Sequence, residues 1–218
     1  MSETHRGELR GNFHLLPEAF KRFITIYYSI ILSYVSIQAI GKLSSINIEF
    51  IHAEDYIIIL TAIITYLIIV PSFIHHTLSL NRWGYLLNKW GIFRFVLDVI
   101  IVTLYAALVM NLADPASFMF TVSIIFLLYA LWNDFRFREY KASNAPENIL
   151  KELESRANID RGFYLVLMSL FFVMILLRFE IVVGSILTVV ATTQVAYRIM
   201  KMRIYFKIKT KVNNRASL

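Results

Sequence analysis

The chain has no cysteine among its 218 residues. That excludes a disulfide framework, a thiol nucleophile and Cys-ligated zinc or iron–sulfur centres. Glycine numbers 7 and proline 4, too few for a fibrous repeat or a low-complexity linker. Charge is also scarce: Asp, Glu, Lys and Arg make up 17%, against the roughly 25% usual in soluble domains. What is abundant is apolar surface, at 58% of residues with a mean hydropathy of +0.61. A soluble domain of this length has no interior large enough to bury it. The composition therefore points to an integral membrane protein.

Chemical motifs are missing as well. There is no G-x-S-x-G elbow, no H-E-x-x-H, no P-loop and no Gly-rich dinucleotide turn. No apolar run pairs a serine with a deep histidine, and no pair of acids suits head-group transfer. No catalytic residues, metal ligands or cofactor are expected, and an enzyme is not the reading. His75 and His76 are neighbours. Adjacent side chains on a helix point about 100° apart, so they do not converge on one ion. They read as interfacial polar caps.

Six apolar runs define an all-α architecture: 23–40, 56–78, 91–113, 117–132, 159–177 and 181–200. A helix needs about 20 residues to cross about 30 Å of hydrocarbon. Helices are required because lipid leaves no partner for open backbone groups. The runs are apolar all round, which excludes the alternating strands of a barrel. The six-helix domain then spans 23–200. It is flanked by an N-terminal segment, 1–22, and a basic tail, 201–218. A polar loop, 133–158, holds a short helix from Glu147 to Ala157, with Asn144 as its expected cap and Glu147 three residues on. The last two runs are divided only by a turn at Arg178-Phe179-Glu180.

Twenty of the 22 Lys and Arg fall on one side of such a six-span chain, and only Lys42 and Arg178 on the other. The positive-inside rule puts both termini and the 133–158 loop in the cytoplasm. The first apolar run is too long for a signal peptide, and no small-residue cleavage site follows it. The expected location is the inner or plasma membrane of a bacterium or archaeon. Trp83, Trp90 and Trp132 fall where an interfacial aromatic belt would put them.

Three sets of residues stand out as candidates for function. Arg94 and Asp98 are four apart on one helical face, and an intramembrane ion pair between them would offset the roughly 2.5–3.5 kcal/mol of a lone charge at mid-bilayer. Thr25, Ser29, Ser33 and Ser36 make a hydroxyl stripe on the first run, which suits either a pore lining or close helix packing. Shorter stripes occur at Thr61, Thr65 and Ser72 beside Pro71, and at Ser185, Thr188 and Thr192. The third set is basic. Arg136 and Arg138 close the fourth run, with Asp134 four residues before Arg138. Lys201, Arg203, Lys207, Lys209 and Lys211 interleave with apolar residues in the tail. These cations suit anionic lipids or a soluble anion such as a nucleotide or oligonucleotide.

The expectation is a homo-oligomeric ion channel or pore, favouring anions and gated from its basic cytoplasmic face. The first helix would line its axis. A short six-span plan with a basic face is similar, in architecture alone, to small ion channels and to bacterial membrane effectors of anti-phage systems. The alternatives are a non-conducting scaffold or sensor that binds anionic lipid or a soluble partner, and a small secondary transporter. Low glycine weighs against the transporter, whose sliding helices are usually Gly-rich. Because the chain has no native cysteine, topology is directly testable. Ser217→Cys and Ser143→Cys should resist an impermeant thiol reagent in intact cells while Ser44→Cys labels; labelling of Ser217→Cys from outside contradicts six spans.

Overall fold

The structure, a computed structural model, describes residues 3–46, 52–82 and 84–177, with Thr192, Thr193, Ala196 and Tyr197 beyond; side chains are described from 17 to 173, apart from 47–51, 53 and 83, and at those four later residues. It is all-helical among the described residues. The helices are α1 (Glu3–Ser44), α2 (Ala53–Arg82), α3 (Lys89–Met110), α4 (Pro115–Ala142) and α5 (Glu147–Leu177). Four of them contain stretches long and apolar enough to cross a membrane: Pro17–Ser44, Glu54–Arg82, Lys89–Met110 and Pro115–Ala142. These coincide with the first four expected runs. The fifth run, 159–177, is the C-terminal part of α5. The sixth, 181–200, lies outside the described residues except for the four named above, and so does the tail 201–218.

The polar loop 133–158 is corrected by the fold. Residues 133–142 continue α4, and α5 begins at Glu147. The link is reduced to 143–146, and the short helix expected from Glu147 to Ala157 is the first part of α5. Asn144 does not cap α5. It takes φ 53° and terminates α4, with the Asn144 N–H donating to the Lys141 carbonyl and the Ala145 N–H to the Tyr140 carbonyl. That pair of bonds is a Schellman end, for which Asn is the usual substitute for Gly. Pro146 then supplies the first carbonyl of the next helix, accepting from Ile149 and Leu150.

The other turns follow the same local logic. Asp114 caps α4 by accepting the Ala116 and Ser117 N–H groups, with Pro115 at the first helical position. Its carboxyl is held below the usual carboxylate range, first by the Ser117 hydroxyl and then by the backbone N–H of the same residue. Asn88 caps α3 through Trp90 and Gly91. The Asn88 amide also donates to the Glu139 carbonyl at 2.9 Å, which ties the start of α3 to the end of α4.

α4 is the central helix. It packs most extensively on α5 and next on α3, while α1 lies against α3. Phe126 stacks with Tyr164 and meets Phe171 edge-on, joining α4 to α5. On α3 the buried residues are Gly91, Arg94, Leu97, Asp98, Ile101, Val102, Tyr105, Leu108 and Val109. This is a single 3.6-residue stripe. Hydropathy is high all round this helix, so the two charged residues Arg94 and Asp98, not hydrophobicity, mark the face turned to protein.

Gly91 sets the approach of α3 to its neighbours. A Cβ there would lie 2.0 Å from the Leu86 carbonyl oxygen and 2.8 Å from Glu139 Oε1. Gly162 has nothing within 4 Å of the same position. Gly91→Ala should therefore cost about 1–3 kcal/mol, as overpacking of a filled site does. Gly162→Ala should be neutral or slightly favourable in thermal unfolding of the purified protein. Equal stability of the two variants would contradict this packing.

Candidate functional site

The polar residues of the bundle converge at one end, where α2 finishes, α3 begins and α4 finishes. Arg94 and Glu139 are at the centre. Arg94 Nε lies 2.9 Å from Glu139 Oε2, and both side chains have no exposure. Glu139 also accepts the backbone N–H of Leu86, and Arg94 donates to the Gly84 carbonyl at 2.7 Å. The ion pair therefore closes the 84–88 link over the helix ends.

Sequence spacing suggested an ion pair between Arg94 and Asp98. In the structure Arg94 pairs with Glu139, on a different helix. The two oxygens of Asp98 are held elsewhere. Tyr85 donates its hydroxyl to Oδ2 at 2.6 Å, and His76 Nδ1 stands 3.3 Å from Oδ1. Local spacing shows only that two groups share a face. Their partners depend on which neighbouring side chains point inward, and α2 and α4 supply closer ones. Burial pushes the Tyr85 hydroxyl well above its ordinary 10.0, with the nearby Asp98 charge adding to it. Tyr85 thus remains a donor.

His76 is not an interfacial cap. It is buried, at 7% exposure, between the ring of Tyr28 at 5.2 Å and that of Trp132 at 5.9 Å. Its Nε2 has no hydrogen-bond partner among the described residues. Trp132 has also left the expected interfacial belt. It is 5% exposed, and its ring carries two guanidinium groups, Arg136 at 4.9 Å and Arg94 at 5.6 Å. Such contacts are worth about 2 kcal/mol when desolvated.

The basic candidates at the end of α4 divide. Arg136 is buried and donates to Ser79 at 3.1 Å and to Asn133 at 3.0 Å, so it is part of the interior and not of an anion-binding surface. Arg138 is half exposed and pairs with Asp134 at 2.8 Å, the four-residue pair the sequence anticipates. Asp134 also accepts from Arg161 of α5. Lys201, Arg203, Lys207, Lys209 and Lys211 lie outside the described residues.

The two hydroxyl stripes behave differently. On α2, Thr61 and Thr65 are buried, and Thr61 donates to the Leu112 carbonyl at 2.8 Å. Ser72 meets the Tyr129 hydroxyl. That stripe packs helices. On α1, Ser29 and Ser33 are exposed, while Thr25 and Ser36 are half-buried. Each donates to the carbonyl four residues back, at 2.8–3.1 Å. The stripe is thus on the outside of the described helices, not around an internal channel.

A hydroxyl chain runs beside the charged cluster. Tyr28 meets Tyr105 at 3.3 Å, Tyr105 meets Tyr129 and Tyr129 meets Ser72. Sequence reading takes His76 for an interfacial cap and passes over Tyr85 and Glu139, although two of the three carry a signal. The α2 stripe of Thr61, Thr65 and Ser72 extends at the same spacing to His76 and Ser79. On α4, Trp132, Arg136 and Glu139 fall on one face by the same rule. Tyr85 lies in a link, where periodicity says nothing. Among the described residues no group of three or more His, Asp or Glu is arranged to hold a metal ion.

The Arg94–Glu139 pair makes a thermodynamic prediction. Removing one member leaves a buried charge and costs about 3–5 kcal/mol, while removing both costs less. Arg94→Met and Glu139→Gln should each reduce folded yield in detergent more than the double variant does. A double variant no better than the worse single one means that the two do not interact. Comparison with known proteins finds no family model, no curated protein and no solved structure that matches this chain.

Proposed function

We propose that the protein conducts ions across a membrane and that the buried cluster around Asp98 is its ion-handling centre. One observation carries the reading: Arg94, Asp98, Glu139 and His76 are all buried inside helices otherwise apolar enough to span a bilayer. Ionisable groups at such positions are expensive, and in membrane proteins they mark ion or proton pathways. A scaffold stabilised by packing alone has no use for a buried histidine with one nitrogen unsatisfied, which costs about 1–3 kcal/mol. Six spans and cytoplasmic termini belong to this proposal, supported by the one-sided distribution of Lys and Arg, and so does a homo-oligomer. So does a basic face, Arg138 and the tail cations, meeting anionic lipid or an anionic ligand.

A second reading keeps the conduction path on α1. The exposure of Ser29 and Ser33 favours it, since an outward hydroxyl stripe is free to face an axis between protomers. Planar-bilayer recordings of the purified chain separate the two. The Asp98 reading expects currents from the intact chain, their loss in Asp98→Asn, and their persistence in Ser29→Ala with Ser33→Ala. The reverse pattern favours an α1-lined pore. No current from the intact chain over a range of voltage and pH returns the non-conducting scaffold.

A further inference from the structure

His76 and the hydroxyl chain share a cavity. It measures about 30 Å³ and is lined by Tyr28, Ser72, His76, Asp98, Tyr129 and Asn133, among others. Its position follows from the local chemistry of α2: Pro71 breaks the helical hydrogen-bond ladder, and Ser72 and His76 lie one and five residues on, facing α4. A water requires about 10–15 Å³ of such space and two to four polar partners. The cavity therefore has room for about two waters.

The tautomer of His76 follows from its neighbours. Asp98 Oδ2 accepts from Tyr85 at 2.6 Å, and Oδ1 faces His76 Nδ1 at 3.3 Å. A carboxylate oxygen accepts, so Nδ1 carries the hydrogen and Nε2 carries a lone pair. That lone pair is buried without a donor among the described residues. Water in the adjoining cavity is the donor that chemistry demands. The same cavity is lined by Tyr129, whose hydroxyl meets both Tyr105 and Ser72.

We propose that this cavity is a proton-relay site, in which ordered water joins His76 Nε2 to the Tyr28–Tyr105–Tyr129–Ser72 hydroxyl chain. The inference rests on the conduction reading above and names its ion as the proton. A proton arriving on cavity water passes to Nε2, forming an N–H bond as a water O–H bond breaks. The imidazolium keeps its Nδ1–H on Asp98. The same Nε2 proton then leaves to the next water, and from there each hydroxyl accepts one proton and gives up one. One proton enters and one leaves, and each hydroxyl forms one O–H bond as it breaks another.

Charged and titratable groups surround the imidazole. From α3, the Asp98 carboxylate stands against His76 Nδ1, and Arg94 lies one turn before Asp98 on the same helix. The 84–88 link adds the neutral Tyr85 hydroxyl on Asp98. The rings of Tyr28 on α1 and Trp132 on α4 enclose the imidazole, and Tyr164 on α5 and His75 on α2 line the same cavity.

The test has two readouts on the full chain. In nanodiscs with ¹⁵N-histidine, His76 should give the Nδ1–H tautomer, and its Nε2 should show magnetisation transfer from water. In liposomes loaded with a pH-sensitive dye and clamped with valinomycin, the intact chain should carry protons. His76→Gln and Tyr129→Phe should each fall to the leak of protein-free liposomes. Tyr129→Phe keeps every charge, so it guards against loss through misfolding. An Nε2–H tautomer, absence of water contact, or full proton flux in both variants overturns the relay. Currents carried by potassium or chloride without protons overturn the relay and leave conduction standing. No flux of any ion from the intact chain overturns both.

Discussion

The rest of the interior depends on the Arg94–Glu139 ion pair. Neither charge reaches solvent, so neither helix can bury its member without the other. The pair therefore sets the rotation and depth of α3 against α4. It also dictates the sequence around it. Gly91 is required because the Leu86 carbonyl, and beside it the Glu139 carboxylate, lie where a Cβ would be. Asn88 must cap α3 and hold the Glu139 carbonyl at once. The 84–88 link folds inward because Glu139 accepts from Leu86 and Arg94 donates to Gly84.

With Arg94 taken by Glu139, Asp98 is left to α2 and the link. That is why Tyr85 and His76 are drawn inside. The interior then acquires a graded polarity. Guanidinium groups crowd around the Trp132 ring, the imidazole–carboxylate pair lies beside them, and neutral hydroxyls lead away toward the middle of the bundle. The guanidinium groups stay toward the helix ends, Asp98 lies further in on α3 with its two oxygens on Tyr85 and His76, and neutral hydroxyls continue beyond it, as the cost of burying unpaired charge requires. The conduction reading and the proton relay both draw on this gradient.

A membrane interior was legible from composition, because no soluble domain disposes of so much apolar surface. The first four helices were legible too, since spanning a bilayer demands long uninterrupted runs. Their ends were less so. Residues 133–142 are polar and read as loop, yet α4 continues through them because Asn133, Arg136 and Glu139 face protein. Asn144 was legible as a helix boundary but not as the right kind. Asn stabilises both a helix start and a left-handed helix end, and only the backbone at φ 53° distinguishes them.

The sequence alone determined that polar residues recur at helical spacing: 94 with 98, 72 with 76 and 79, and 132 with 136 and 139. Periodicity identifies the face of a helix, because side chains three and four apart stack on one side. It carries no information on which other face that one meets. The tertiary structure decided that Arg94 pairs with Glu139 and Asp98 with Tyr85 and His76, that Trp132 is core, and that the α1 hydroxyls turn outward. The reason is geometric: charge partners separated by 45 or 22 positions in the chain, as Arg94 and Glu139 or His76 and Asp98 are, are chosen only when the helices that carry them are packed together.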